Sequence, residues 1–96
     1  MDARSVSAAA KKLAQERFGT GVVQDAKATD YTDETGEKAY RVTIVVKEFD
    51  PDVLTTEARA DVVRGLIRQL EEAGDGRFPF VSFIPSDELA ELAADG

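Results

Sequence analysis

The chain has 96 residues, 43% of them hydrophobic and 32% charged, and its 19 acidic and 12 basic side chains give a formal net charge of −7. It contains no cysteine and no histidine, which removes disulfides, thiolate nucleophiles, zinc-cysteine sites and every Ser/His or Cys/His nucleophile pair from consideration. The length suits a single domain over residues 1–96 with one core, and the acidic balance works against the counterion release that drives nucleic-acid affinity while fitting a basic partner.

The first segment, "MDARSVSAAAKKLAQERF", carries its lysines after the alanine run and lacks the roughly 7–15-residue apolar core of a secretory signal. No stretch approaches the ~18 apolar residues of a membrane span, so the expectation is a cytoplasmic, bacterial-style protein without a membrane partner. Within this segment Val6, Ala9, Ala10, Leu13, Ala14 and Phe18 recur at helical spacing. The spacing predicts a helix over residues 5–18, with Ser5 or Ser7 as N-cap and Gly19 as stop. Its alanine side suits close packing against a sheet or another helix.

Residues 21–31 and 38–49 read as two strands joined by "TDETGE", where Gly36 can supply a positive φ. Pairing Ala28 with Val42, Ala26 with Ile44 and Gln24 with Val46 gathers Val22, Ala26, Ala28, Tyr40, Val42, Ile44 and Val46 on one side. The other side then carries Val23, Asp25, Lys27, Thr29 and Tyr31 beside Arg41, Thr43, Val45, Lys47 and Phe49. That mixture suits a sheet face left open to solvent or to a second subunit.

After "EFDPD", the residues Ala58, Val62, Val63, Leu66, Ile67, Leu70 and Ala73 repeat at three and four positions up to Gly74, which predicts the longest helix. Asp50 and Thr55 compete as its N-cap. Gly65, mid-helix beside Leu66, points to close approach of another backbone, because glycine there costs about 0.5–1 kcal/mol relative to alanine.

The run "FVSFI" between Pro79 and Pro85 reads as a third strand, and "DELAELAA" as a short last helix capped by Ser86, with the closing "DG" frayed. Alternation sets Phe78, Phe80, Ser82 and Ile84 against Pro79, Val81, Phe83 and Pro85. Neither side is polar, so the strand is covered on both sides or offers one to a partner; Phe83 or Phe80 should lie under the long helix. Pro79 places the start of the strand at a sheet edge or just outside the pairing.

The fold expected is α+β, a two-layer α-β-β-α-β-α arrangement whose three-stranded sheet has helices packed mainly on one face. Its outline resembles KH-like and BolA-like arrangements, an analogy that carries no function by itself.

Three constellations bear on chemistry. Arg59, Arg64 and Arg68 on the long helix, with Arg77 beyond it, offer a basic strip to phosphate, but Glu57, Asp61, Glu71 and Glu72 alternate with them and favour a solvated, ion-paired face. "AGDGRF" follows a helix instead of opening one, unlike a phosphate cradle, and lacks the GxxG spacing of a KH loop. The carboxylates of Asp30, Asp33, Glu34 and Glu37 lack an EF-hand order, and Asp50 and Asp52 are better explained as the start of a helix than as an acid/base pair. No catalytic residue, cofactor or metal is therefore expected.

The run "RFPFVSFI" resembles a signature near the C-terminus of small bacterial α+β proteins that lack an assigned activity. The resemblance implies an accessory or regulatory protein, of the kind encoded beside a toxin-like protein, and transfers no catalytic residue. The expectation is a small acidic interaction protein of the antitoxin, immunity or accessory-subunit kind that binds a protein partner. Its candidate contacts are Phe78, Phe80, Val81, Phe83, Val23, Val45, Phe49 and Tyr31. A homodimer through the open sheet face is a second expectation, and a KH-like nucleic-acid module using the arginine side of the long helix is the alternative.

Overall fold

In the computed structural model, which describes residues 1–95 and the side chains of residues 1–91, the elements run α1 (Ala3–Phe18), β1 (Val23–Thr32), β2 (Lys38–Val46), α2 (Thr56–Glu72), β3 (Phe78–Pro85) and α3 (Ser86–Asp95). This is the α+β order expected, with the helices against one face of the sheet. The fraying expected of the closing dipeptide falls on Gly96, outside the described residues, and on the Asp95 side chain, which is likewise not described.

The sheet order is β1-β2-β3, with β1 antiparallel to β2 and β3 parallel to it. A parallel neighbour requires a crossover, and α2 supplies it. β2 is thus the central strand. Its Tyr40, Val42, Ile44 and Val46 are buried against Val6, Ala10 and Ala14 of α1 and Val62, Leu66 and Leu70 of α2, and each large apolar side chain so buried contributes about 1.5–3 kcal/mol.

The pairings Ala26 with Ile44 and Ala28 with Val42 hold, but Val46 pairs with Val23 instead of Gln24. Gln24 is an extra residue on β1, a bulge that alternation does not reveal. The bulge reverses the facing of what precedes it, so Val23 is fully buried on the helix side and Val22 packs only partly against the core.

Helix α1 begins earlier than the serines suggest, because the Asp2 carboxylate caps it by accepting from the Ser5 N–H at 2.8 Å. That hydrogen bond also holds the Asp2 carboxyl below its ordinary range. Ser7 instead ties the helix to the sheet, its hydroxyl donating to the Ala3 carbonyl at 2.8 Å and accepting from the Ala28 N–H of β1 at 2.7 Å. Small residues on both sides, Ala10 and Ala14 facing Ala26 and Ala28, allow that approach.

Helix α2 is capped by Thr55, whose hydroxyl accepts from the Ala58 N–H at 3.1 Å, while Asp50 closes a separate turn in which its main-chain carbonyl accepts from Leu54 at 2.7 Å. Gly65 faces a side chain and not a backbone; a Cβ there would stand 3.0 Å from Leu13 Cδ2 of α1. At the other end Gly74 (φ +73°) lets the Asp75 N–H bond the Leu70 carbonyl at 2.8 Å and its own N–H bond Glu71 at 3.0 Å, a Schellman stop. α3 begins at Ser86 itself.

Candidate functional site

Parity along β2 fixes what the uncovered face of the sheet presents. With Tyr40, Val42, Ile44 and Val46 turned to the helices, Ala39, Arg41, Thr43 and Val45 turn outward, flanked by Tyr31, Thr29 and Lys27 on β1 and by Phe78, Phe80, Ser82 and Ile84 on β3. Phe78 and Phe80 are 51% and 42% exposed. Their ring centroids lie 5.0 Å apart, and Tyr31 reaches Phe80 edge-on at 5.8 Å from the far side of the central strand.

Two choices on β2 make that cluster. Ala39, opposite both Tyr31 and Phe78, is small enough for rings from the flanking strands to close over it and is only 2% exposed. Arg41, opposite Phe80, lays its guanidinium over the Tyr31 ring, 4.3 Å from the centroid. Among the described residues no carboxylate lies within ion-pair distance of Arg41, Lys27 or Lys47. Tyr31, Arg41 and Phe80 with Asp33, Glu34 and Thr35 of the turn line a shallow cleft of about 390 Å³. In that turn the Asp33 carboxylate accepts from the Thr35 hydroxyl at 2.6 Å and from the Thr35 and Glu37 N–H groups, which holds its carboxyl below the usual range.

Of the partner-contact residues read from the sequence, Tyr31, Val45, Phe78 and Phe80 meet on this face. Val81 and Phe83 lie on the other side of β3 and pack against the core, where Phe83 meets Phe18 edge-on at 5.9 Å. Val23 is buried by the bulge. Phe49 lies past the end of β2, with the Arg59 guanidinium 5.2 Å from its ring centroid. A bulge and a strand end reset the alternation that assigned Val23 and Phe49, whereas Val81 and Phe83 keep the expected alternation and simply lie on the covered side of β3.

The four arginines do not form one strip: Arg64 and Arg68 are exposed one turn apart on α2, and the other two are engaged elsewhere. Arg59 donates to the Leu54 carbonyl at 3.0 Å and covers Phe49, Arg64 pairs with Asp61, and Arg77 is turned away altogether. Arg77 grips the Asp75 carboxylate through two hydrogen bonds of 3.0 and 2.9 Å, donates to the Met1 carbonyl at 2.9 Å and reaches Asp30 at 3.3 Å. The buried Tyr40 hydroxyl donates to the same carboxylate at 2.6 Å, and the guanidinium lies 4.0 Å from the Tyr40 ring centroid. Arg77 holds the Asp75 carboxyl well below the usual carboxylate range, while burial, reinforced by Asp75, pushes the Tyr40 hydroxyl up to about 12. No motif in the sequence announces this network; the one available signal is that a core tyrosine needs a partner for its hydroxyl.

Both edges of the sheet are blunted. On β1 the Ala26 and Ala28 N–H groups are taken by the Asp25 carboxylate and the Ser7 hydroxyl, and Gln15 donates to the Val23 carbonyl at 3.3 Å. On β3, pairing with the even-numbered residues of β2 directs the backbone of Pro79, Val81, Phe83 and Pro85 outward. Two of those four positions have no N–H to offer.

Among the described residues no three carboxylates are placed to share a metal ion, and no helix is long and apolar enough to cross a membrane. Compared with known proteins, the chain matches no family model, no curated protein and no solved structure.

Proposed function

We propose that this chain is a small, non-enzymatic interaction protein of the antitoxin, immunity or accessory-subunit kind, working by contact with protein through the open face of its sheet. The observation that carries the reading is the pair Phe78 and Phe80, half exposed and side by side with Tyr31 on the face opposite the one that α1 and α2 cover among the described residues. Contiguous exposed rings with a guanidinium among them have the composition of a binding hot spot. Blunted edges favour docking on the face over addition of a strand. The excess of 19 acidic over 12 basic residues favours a basic protein for contacts elsewhere on the surface. The nucleic-acid alternative is disfavoured by the dispersal of Arg59, Arg64 and Arg77 among separate partners.

The test is Phe80→Asp, a substitution at an exposed position that should leave the circular dichroism spectrum and thermal midpoint close to wild type. Purified wild type is expected to associate with protein, itself or another, in a way the substitution abolishes, and to show no salt-dependent retention on mixed RNA or DNA. A wild type that neither self-associates nor retains a stoichiometric protein from its native host would overturn the reading. So would sub-micromolar RNA binding that weakens with salt.

A further inference from the structure

Charge along the open face is sorted by position. At the hairpin end stand Glu34 and Glu37, exposed, with Asp33 beside them in the turn. Towards the other end stand Lys27 on β1 and Lys47, one residue past β2 with its N–H still bonded to the Val22 carbonyl at 2.9 Å, and Asp25 between them is engaged by Lys11 at 3.8 Å. Arg41 occupies the middle, beside Phe80. Lys38 belongs to the set of even-numbered β2 residues that point to the helix side, and Glu48, beside Lys47 just past the strand end, has that same even parity.

A uniformly basic partner on this face would bring like charge to Lys27, Arg41 and Lys47, and a uniformly acidic one would bring it to the hairpin. Like charges set opposite each other cost affinity and exclude partners. A surface acidic at one end and basic at the other is complementary to a copy of itself turned end for end. That arrangement is an isologous contact, in which each half of the surface meets the other half of its twin.

We propose that the open face is the contact between two copies of this chain, related by a two-fold axis that lies between the two sheets and runs across their strands. The inference rests on reading this face as a protein-contact surface and names the occupant. Turning the second copy about that axis sets each acidic hairpin over the Lys47 end of the other sheet, and sets the strands of the two copies antiparallel. An axis along the strands would instead set hairpin on hairpin. Phe80, paired with Arg41 near the middle of the face, then meets its own counterpart close to the axis, where binding energy concentrates; Arg41, at the same level, comes near its own counterpart as well, a like-charge approach offset by its stacking on the Tyr31 ring, 4.3 Å from the centroid. Face-to-face sheets pack about 10 Å apart and about 30° askew, and the blunted edges of β1 and β3 leave lateral pairing no part in the assembly.

Sedimentation equilibrium and light scattering over about 5–500 µM, a range that brackets a modest interface, decide it. Wild type is expected to be dimeric at the upper end, and Phe80→Asp monomeric throughout with its thermal midpoint kept. Reversing the hairpin acids (Glu34→Lys with Glu37→Lys) or the far-end lysines (Lys27→Glu with Lys47→Glu) should each weaken self-association by about tenfold. Combining all four in one chain, or mixing the two double variants, should restore it. A wild type monomeric at every concentration overturns the inference, as does a dimer that ignores Phe80→Asp, or four charge reversals that fail to restore pairing in folded protein. If wild type is monomeric yet holds a different protein that Phe80→Asp releases, the contact-surface reading survives and the second copy as occupant does not.

Discussion

Replacing Tyr40 with phenylalanine removes one oxygen from the most completely buried aromatic side chain in the protein and leaves its ring in place. The hydroxyl donates to Asp75 at 2.6 Å, and a hydrogen bond to a charged acceptor contributes about 1.5–3 kcal/mol. Asp75 keeps both hydrogen bonds from Arg77 in the variant, so the expected loss at neutral pH is at the lower end, about 1–2 kcal/mol. At about 4–8 °C per kcal/mol for a domain of this length, the thermal midpoint should fall by roughly 5–15 °C.

The pH dependence is more specific than the loss itself. The folded protein holds the hydroxyl pKa up at about 12 against an ordinary 10.0, so between those values the unfolded chain gives up a proton that the native chain keeps. Stability contributed by this group is complete below about pH 10 and is lost as the pH rises towards about pH 12. At 1.36 kcal/mol per pKa unit, that loss is of the order of 2 kcal/mol for wild type and absent from the variant. Guanidinium titrations followed by circular dichroism at neutral pH and in steps above pH 10 should show the gap between the two proteins closing. An ultraviolet titration of tyrosinate should lose its highest phase in Tyr40→Phe. A gap below about 0.5 kcal/mol at neutral pH, or one that stays constant into strong alkali, would refute the account.

Further expectations concern single contacts. Asp75→Asn should flatten acid denaturation: the depressed carboxyl contributes stability that is present above the ordinary pKa of 3.8 and is lost as the pH falls below it, so wild type and variant should converge in an acid titration followed by circular dichroism. Ser7→Ala should cost about 1 kcal/mol and speed hydrogen exchange at the Ala28 amide, which loses its acceptor; an unchanged exchange rate would contradict that role. Gly65→Ala should change stability by less than about 0.5 kcal/mol, since the gain in helix propensity is offset by crowding of the movable end of Leu13, whereas Gly65→Val should lower the denaturation midpoint clearly.

The order of elements and the central pairings were legible because period and turn chemistry agree there: Ala26, Ala28, Val42 and Ile44 alternate without interruption, and Gly36 takes the positive φ the turn needs. Reading failed where one residue changes parity. Gln24 falls on the core-facing side of the expected register, but a single polar residue near a strand end does not by itself separate a bulge from the end of the strand. Phe78, Phe80, Val81 and Phe83 posed the reverse difficulty, since a strand apolar on both sides does not say which side is covered; that was settled by the parallel register with β2. Asp75 and Arg77 gave no signal because their partner Tyr40 is 35 positions or more away, and sequence spacing carries no information at that range.

The parallel pairing of β3 with the centre of the sheet also bears on how the chain is made. β3 cannot pair until the whole α2 crossover has been synthesised, and closing so long a loop is slow compared with forming the β1-β2 hairpin. During translation the hairpin and both long helices precede it, so the strand richest in phenylalanine emerges last, beside a template already laid down. The segment most prone to clump with other nascent chains is therefore never exposed before the strand it pairs with has been made.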